Sequence, residues 1–164
     1  MTIDEIIIEV AKYSCNLVEI TGGEPLMQKG VQELMRQLCE KEYMVMLETG
    51  GSLPIENVDK RVKIIMDIKT LSSGMEKKNL YENIKFIKKY DEVKFVIGSR
   101  EDYDWSKNII DTYKLTEKAT ILMSPVFNEV SNIDLATWIL DDRLNVRFQV
   151  QMHKYIWHPE TRGV

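Results

Sequence analysis

Short apolar runs recur along the chain, separated by stretches in which apolar residues return every three or four positions. The first pattern reads as buried strands and the second as helices that pack by one face. Strands are predicted at 17–21, 43–48, 62–68, 92–97, 119–123 and 145–150. Helices are predicted at 2–14, 27–41, about 79–89, about 102–114 and about 132–140. The first helix opens on a capping box, Thr2 with Glu5 three residues on, and carries a stripe of Ile6, Ile7, Val10 and Ala11. The second carries Val31, Leu34, Met35 and Leu38 at helical spacing. Strict alternation of the two patterns predicts successive βαβ units and a mostly parallel sheet. Right-handed crossovers curl such a sheet toward a barrel. A closed eight-stranded barrel takes ~250 residues. With 164 residues, the expected fold is α/β, one domain over 1–164: a partial (β/α) barrel of about six mostly parallel strands with outer helices.

Polar side chains gather where the apolar strands end. They are Thr21 and Glu24, Glu48 and Thr49, Asp67 and Lys69, Ser124, then Gln149, Gln151 and His153. In a parallel α/β barrel these ends open on one face, where sites are built. The first end is the most telling. Leu17 to Ile20 runs into Thr21-Gly22-Gly23-Glu24-Pro25, a strand, a glycine turn and a proline suited to a first helical position. A glycine turn opening a helix ordinarily favours an anion. Glu24 in that turn repels one, so the expected ligand carries a cation, an ammonium or sulfonium, against the backbone of Gly22 and Gly23. A divalent-cation site on Glu24, Glu48 and Asp67 ranks lower, since no local DxD cluster is present. The Met27, Val31, Leu34 and Met35 stripe reads as core.

Composition narrows the picture. The chain is 44% hydrophobic and 29% charged, with a formal net charge of −4. That balance argues against a nucleic-acid groove, which needs a basic stripe. No apolar run approaches the ~20 residues of a membrane helix, and Met1 to Glu5 is not a secretory signal. Two cysteines, Cys15 and Cys39, make no disulfide framework. A cytoplasmic protein is expected.

Thr21-Gly22-Gly23-Glu24-Pro25 resembles the GGEP motif of the radical S-adenosylmethionine superfamily. Further motifs narrow the resemblance: Glu48-Thr49-Gly50-Gly51, Asp67-Ile68-Lys69 with Ser72-Ser73-Gly74, Asp91 to Ile97, Ser124-Pro125-Val126, and the tail from Gln151-Met152-His153-Lys154 through Arg162-Gly163-Val164. Together they are similar to the 7-carboxy-7-deazaguanine synthase family over nearly the whole chain. The resemblance implies a carbon–nitrogen lyase that converts 6-carboxy-5,6,7,8-tetrahydropterin to 7-carboxy-7-deazaguanine with loss of ammonia, an early step toward 7-deazapurines such as the queuosine of transfer RNA. It implies S-adenosyl-L-methionine, a [4Fe–4S] cluster and Mg2+ as cofactors, and a homodimer. By position it implies cofactor contacts at Gly22, Gly23, Glu24, Glu48, Asp67, Ile68, Lys69, Ser124 and Pro125. Lys69 is suited to the cofactor's carboxylate. Thr21 and His153 are implied as substrate contacts. One position departs, Gly50, where the family more often has Asn. Both residues tolerate positive φ.

The family's cluster is held by three cysteines in a CxxxCxxC loop ahead of the first helix here. Cys15 and Cys39, 24 residues apart, do not supply it and read as small buried or half-buried thiols. The expectation is therefore a chain that begins inside the family's sequence, with the cluster and magnesium ligands and a first strand upstream of Met1, and that is inactive by itself. The edge from Leu17 lacks the proline or lysine that protects natural edge strands. Two alternatives stand beside this reading: a non-catalytic domain binding S-adenosylmethionine or pterin, and a non-radical α/β-barrel enzyme using Glu48, Asp67 and Lys69 for acid–base work.

Overall fold

The computed structural model describes residues 1–158 and Thr161. In chain order the elements are α1 (Ile3–Ala11), β1 (Leu17–Ile20), α2 (Val31–Glu40), β2 (Met44–Thr49), β3 (Lys63–Asp67), β4 (Glu92–Ile97), α3 (Arg100–Tyr113), α4 (Leu115–Lys118), β5 (Thr120–Pro125), α5 (Asn132–Asp141), β6 (Arg147–Phe148) and α6 (His153–Ile156). The strands form one open six-stranded sheet in the order β1-β2-β3-β4-β5-β6. Every neighbouring pair is parallel. Sequential order with all crossovers on one side is what a barrel wall requires, and the wall here stays open between β1 and β6.

The two faces of the sheet differ sharply. Val45 and Leu47, Ile64 and Met66, Val93, Phe95 and Ile97, and Ile121 and Met123 point outward into the hydrophobic core. Met35 and Leu38 of α2, Tyr103 and Ile110 of α3, and Leu135 of α5 cover them. The alternate positions face the concave side, and many are charged: Glu19, Glu48, Lys63, Asp67, Glu92, Lys94 and Arg147. Interior strands of a parallel sheet are ordinarily apolar on both faces. Charges on the concave face therefore mark it as the lining of a site.

Thr2 caps α1 as its sequence predicts, with reciprocal bonds between the Thr2 and Glu5 side chains and each other's backbone N–H. Of the α1 stripe only Ile7 is buried. Three elements differ from expectation. The stretch predicted as a helix from 27 begins instead with a 3-10 turn at Pro25–Met27, and α2 proper starts only after Gly30 at φ 86°. The predicted helix at 79–89 is a 3-10 helix, Tyr81–Phe86. There the buried Asn83 side chain donates to the carbonyls of Gly51 and Leu53 and accepts from Ile55 N–H. Fixing that loop takes precedence over a regular helix. The last strand shrinks from 145–150 to Arg147–Phe148, because it pairs only with β5.

Candidate functional site

The C-terminal ends of β1, β2 and β3 form the first half of the site. Gly22 and Gly23 sit at φ +99° and +62°, and a Cβ built on either meets no atom within 4 Å. Glycine is therefore required for backbone conformation, with open space beside it. Glu24 follows and caps the 3-10 turn that begins at Pro25. Its carboxylate accepts from Leu26 N–H at 3.2 Å and Gly50 N–H at 3.0 Å, and Thr49 Oγ1 lies 2.8 and 2.9 Å from its two oxygens. The charge expected to face a cationic ligand thus ties the glycine turn of β1 to the end of β2. A Cβ on Gly50 would meet Glu24 Oε2 at 3.5 Å and Lys69 Cε at 3.6 Å, ordinary contact distances. Gly23→Val puts a β-branched residue at positive φ and should cost about 1–2 kcal/mol of stability through backbone strain alone. A denaturant titration checks this, and Gly23→Asn should lose less.

Lys69 and Asp67 complete that rim. Lys69 Nζ lies 2.6 Å from Asp67 Oδ2. Asn79 clamps the Lys69 backbone, accepting from its N–H at 2.9 Å and donating to its carbonyl at 2.8 Å. Asp67 Oδ1 is buried and has no hydrogen-bond partner. A buried acceptor left open at a strand end calls for a donor from outside the chain. Beside it, Asp67, Lys69, Thr70, Ser72, Val96 and Glu129 line a cleft of ≈ 340 Å³.

A second group lies deeper on the concave face. Lys94 Nζ reaches across β3 to Glu48 Oε1 at 2.9 Å, and Thr21 Oγ1 donates to Glu48 Oε2 at 3.2 Å. Burial pushes the Glu48 carboxyl up, but the Lys94 and Thr21 bonds and the nearby cations outweigh it and hold the group below the usual range. Glu19, a step lower, is pushed up by burial and by the charge of Glu48. Below them Glu92 Oε1 takes both Lys63, at 2.9 Å, and Arg147, at 3.3 Å. These ion pairs floor the concave face.

The structure thus brings Thr21, Gly22, Gly23, Glu24, Glu48, Asp67 and Lys69 onto one rim. Ser124 is buried on the concave side of β5. Ile68 is buried in the hydrophobic core and also borders the cleft. Pro125 lines a cavity of ≈ 450 Å³ with Phe127, Glu129, Gln151 and Tyr155. His153 starts α6, whose Tyr155 packs edge-on to Phe127 and accepts from Asn132 at 2.8 Å, holding α6 to the β5 end of the sheet. The Arg162-Gly163-Val164 motif lies outside the described residues. Sequence reading missed Lys94 and Asn79 as site-forming residues. For Lys94 a signal was available, a cation in the middle of a mostly apolar interior strand.

Among the described residues no three His, Cys, Asp or Glu side chains gather as a metal site. Cys39 is buried in α2, while Cys15, expected to be at least half-buried, is exposed in the loop before β1. That loop is at the opposite end of the strand from Gly22. These thiols do not fit a cluster serving the rim. S-adenosylmethionine does fit: open backbone at Gly22 and Gly23, an unsatisfied Asp67 oxygen and a lysine stand together. No helix among the described residues is long and apolar enough to cross a membrane.

Fold and site together define an open, all-parallel α/β half-barrel with a glycine turn on its rim. The fold is similar to the crystal structure of QueE from Escherichia coli, with a TM-score of 0.71 at 18% identity over 92% of this chain and 64% of that one. It is also similar to Streptococcus suis SuiB bound to S-adenosylmethionine, with a TM-score of 0.58 at 16% identity over 82% of this chain and 38% of that one. No protein-family model matches the sequence. Curated relatives do. The chain is 45% identical over its whole length to the 7-carboxy-7-deazaguanine synthase of Chlorobaculum tepidum, covering 76% of that protein. It is 39% identical to that of Koribacter versatilis, covering 79%, and 37% identical to that of Clostridium acetobutylicum, covering 76%. The chain belongs to the 7-carboxy-7-deazaguanine synthase family.

Proposed function

We propose that this chain forms the cofactor- and pterin-binding wall of a 7-carboxy-7-deazaguanine synthase, a carbon–nitrogen lyase that converts 6-carboxy-5,6,7,8-tetrahydropterin to 7-carboxy-7-deazaguanine with release of ammonia. The observation that carries this is the convergence of the glycine turn, Glu24, Glu48, Asp67 and Lys69 on one rim of a chain 45% identical to such a synthase. S-adenosylmethionine, when bound with its cluster, supplies the radical chemistry. The chain's own residues bind and orient. Gly22 and Gly23 present backbone to the methionyl ammonium. Glu24 fixes their turn. Asp67 Oδ1 takes a donor from the nucleoside half, and Lys69 leaves Asp67 to meet the methionyl carboxylate. Ser124 and Pro125 border the adenine, and Thr21 and His153 hold the pterin. The setting is cytoplasmic and the assembly a homodimer.

Calorimetric titration of the chain with S-adenosylmethionine tests this. Saturable heat is expected, weakened by Lys69→Met, and no binding to a folded chain would overturn the reading. After anaerobic treatment with iron and sulfide, the chain should show no visible thiolate–iron absorbance, because Cys15 and Cys39 cannot ligate together.

A further inference from the structure

The Thr21–Glu48–Lys94 string runs along the concave face beside the cofactor rim. We infer that Glu48 and Lys94 together read the 2-amino-4-oxopyrimidine edge of the pterin and so select its ring. This rests on the pterin reading given above, and it moves Glu48 from the cofactor half of the site to the substrate half.

The donors and acceptors of the string match those of the pterin edge. Glu48 is anchored at both oxygens, Oε2 by Thr21 at 3.2 Å and Oε1 by Lys94 at 2.9 Å. Each carboxylate oxygen has two acceptor sites, so each keeps one free, and the Lys94 ammonium keeps spare donors. Read from Thr21 toward Lys94, the face offers acceptor, acceptor, donor. The pterin edge offers the complement: the 2-amino donor, the N3–H donor and the O4 acceptor. The lowered pKa of Glu48 keeps the acceptors ionised, and bonds to an ionised acceptor are the stronger kind. A role in stability alone is a poor account of the pair. It joins β2 to β4 across β3, with Glu48 in register with Ile65 and Lys94 with Asp67, and part-buried ion pairs contribute little net stability. The position also suits the reaction. Lys94 is in register with Asp67, and Thr21 adjoins Gly22, so a ring held here lies against the cofactor rim.

Binding to the full chain of 6-carboxypterin, followed by its own fluorescence, and of 6-carboxylumazine, followed by competition, tests the inference. Lumazine carries a 2-oxo group in place of the 2-amino group, so it sets an acceptor against the Glu48 carboxylate. Wild type should prefer the pterin by at least ~10-fold, since a site built to pair a polar group rejects the analogue lacking it. Glu48→Gln, which offers one acceptor and one donor, should bring the ratio to about one. Lys94→Met should weaken both ligands by similar factors, because O4 is common to both. Thermal unfolding confirms that each variant is folded. The inference falls if wild type binds the pterin without discrimination, if folded Glu48→Gln keeps the wild-type ratio, or if Lys94→Met alone abolishes discrimination. In each of those cases the pterin reading survives. Failure of wild type to bind 6-carboxypterin would sink both.

Discussion

Asp102→Ala should destabilise the protein by roughly 3–4 kcal/mol, because it removes a fully buried carboxylate and strands the donors around it. Asp102 accepts from Ser72 N–H and Gly98 N–H, each at 2.9 Å, and from the Ser72 hydroxyl, while its own N–H is capped by Ser99 at 3.1 Å. One side chain thereby joins the start of α3, the end of β4 and the loop that follows Lys69. The surroundings are tight: a Cβ on Gly98 would meet Ser72 Oγ at 2.6 Å and Glu129 Oε2 at 2.9 Å. For a chain of this size the melting temperature should fall by about 6–15 °C. Asp102→Asn keeps one acceptor and should lose about half as much. The pH dependence follows from the same contacts. Burial pushes the Asp102 carboxyl up, but the Ser72 and Gly98 bonds outweigh it and the folded value lies below the ordinary one. A depressed carboxyl contributes fully above the unfolded value of ~3.9 and loses its contribution as pH falls through the folded value. Melting curves of wild type and Asp102→Ala should therefore stand furthest apart at neutral pH and converge below about pH 4. An equal separation at pH 3 and pH 7 would contradict the assignment.

The same residues show what the sequence makes legible. Strand β4 spans 92–97 as its apolar run predicts, and its neighbours begin or end within a few residues of expectation. Short runs of branched residues bounded by polar turns leave little else to be. The polar strand ends also point to a rim, and the structure gathers most of them there. Less legible is whatever depends on partners distant in sequence. Glu24 looks like a free charge in a turn until Thr49 and Gly50 are brought to it. Asp102 looks like an ordinary first-turn acid until β4 and the 70–74 loop close over it. The 79–89 stretch has helical spacing, and only the buried bonds of Asn83 show why it is not an α-helix. Glu48 was read from the sequence, and Lys94 was readable in principle. A cation and an anion at alternate positions of interior parallel strands cost too much to bury unless they line a cavity.

Glu24→Ala should weaken S-adenosylmethionine binding by about 100-fold, close to 2.7 kcal/mol, while lowering the melting temperature by only a few degrees. The carboxylate is half-buried and its partners lie in the turn and at the β2 end, not in the helix-covered core. Losing it frees the Gly22–Gly23 turn, whose positive φ angles are held by no side-chain packing of their own. The ligand must then reorder that turn on binding, and the ordering free energy comes out of its affinity. Glu24→Gln separates two roles. If Glu24 acts by anchoring the turn, the amide still accepts one backbone N–H and the loss should be about 10-fold. If Glu24 instead meets the cation directly, removing the charge should weaken binding as much as removing the whole side chain. Calorimetry on both variants at low and moderate salt distinguishes these. An anchoring role predicts little salt dependence, whereas a direct charge contact is screened over the ~10 Å Debye length at 0.1 M salt. The bonds to Leu26, Thr49 and Gly50 favour the anchor, so the ordering of losses expected is alanine well above glutamine, with salt changing neither appreciably.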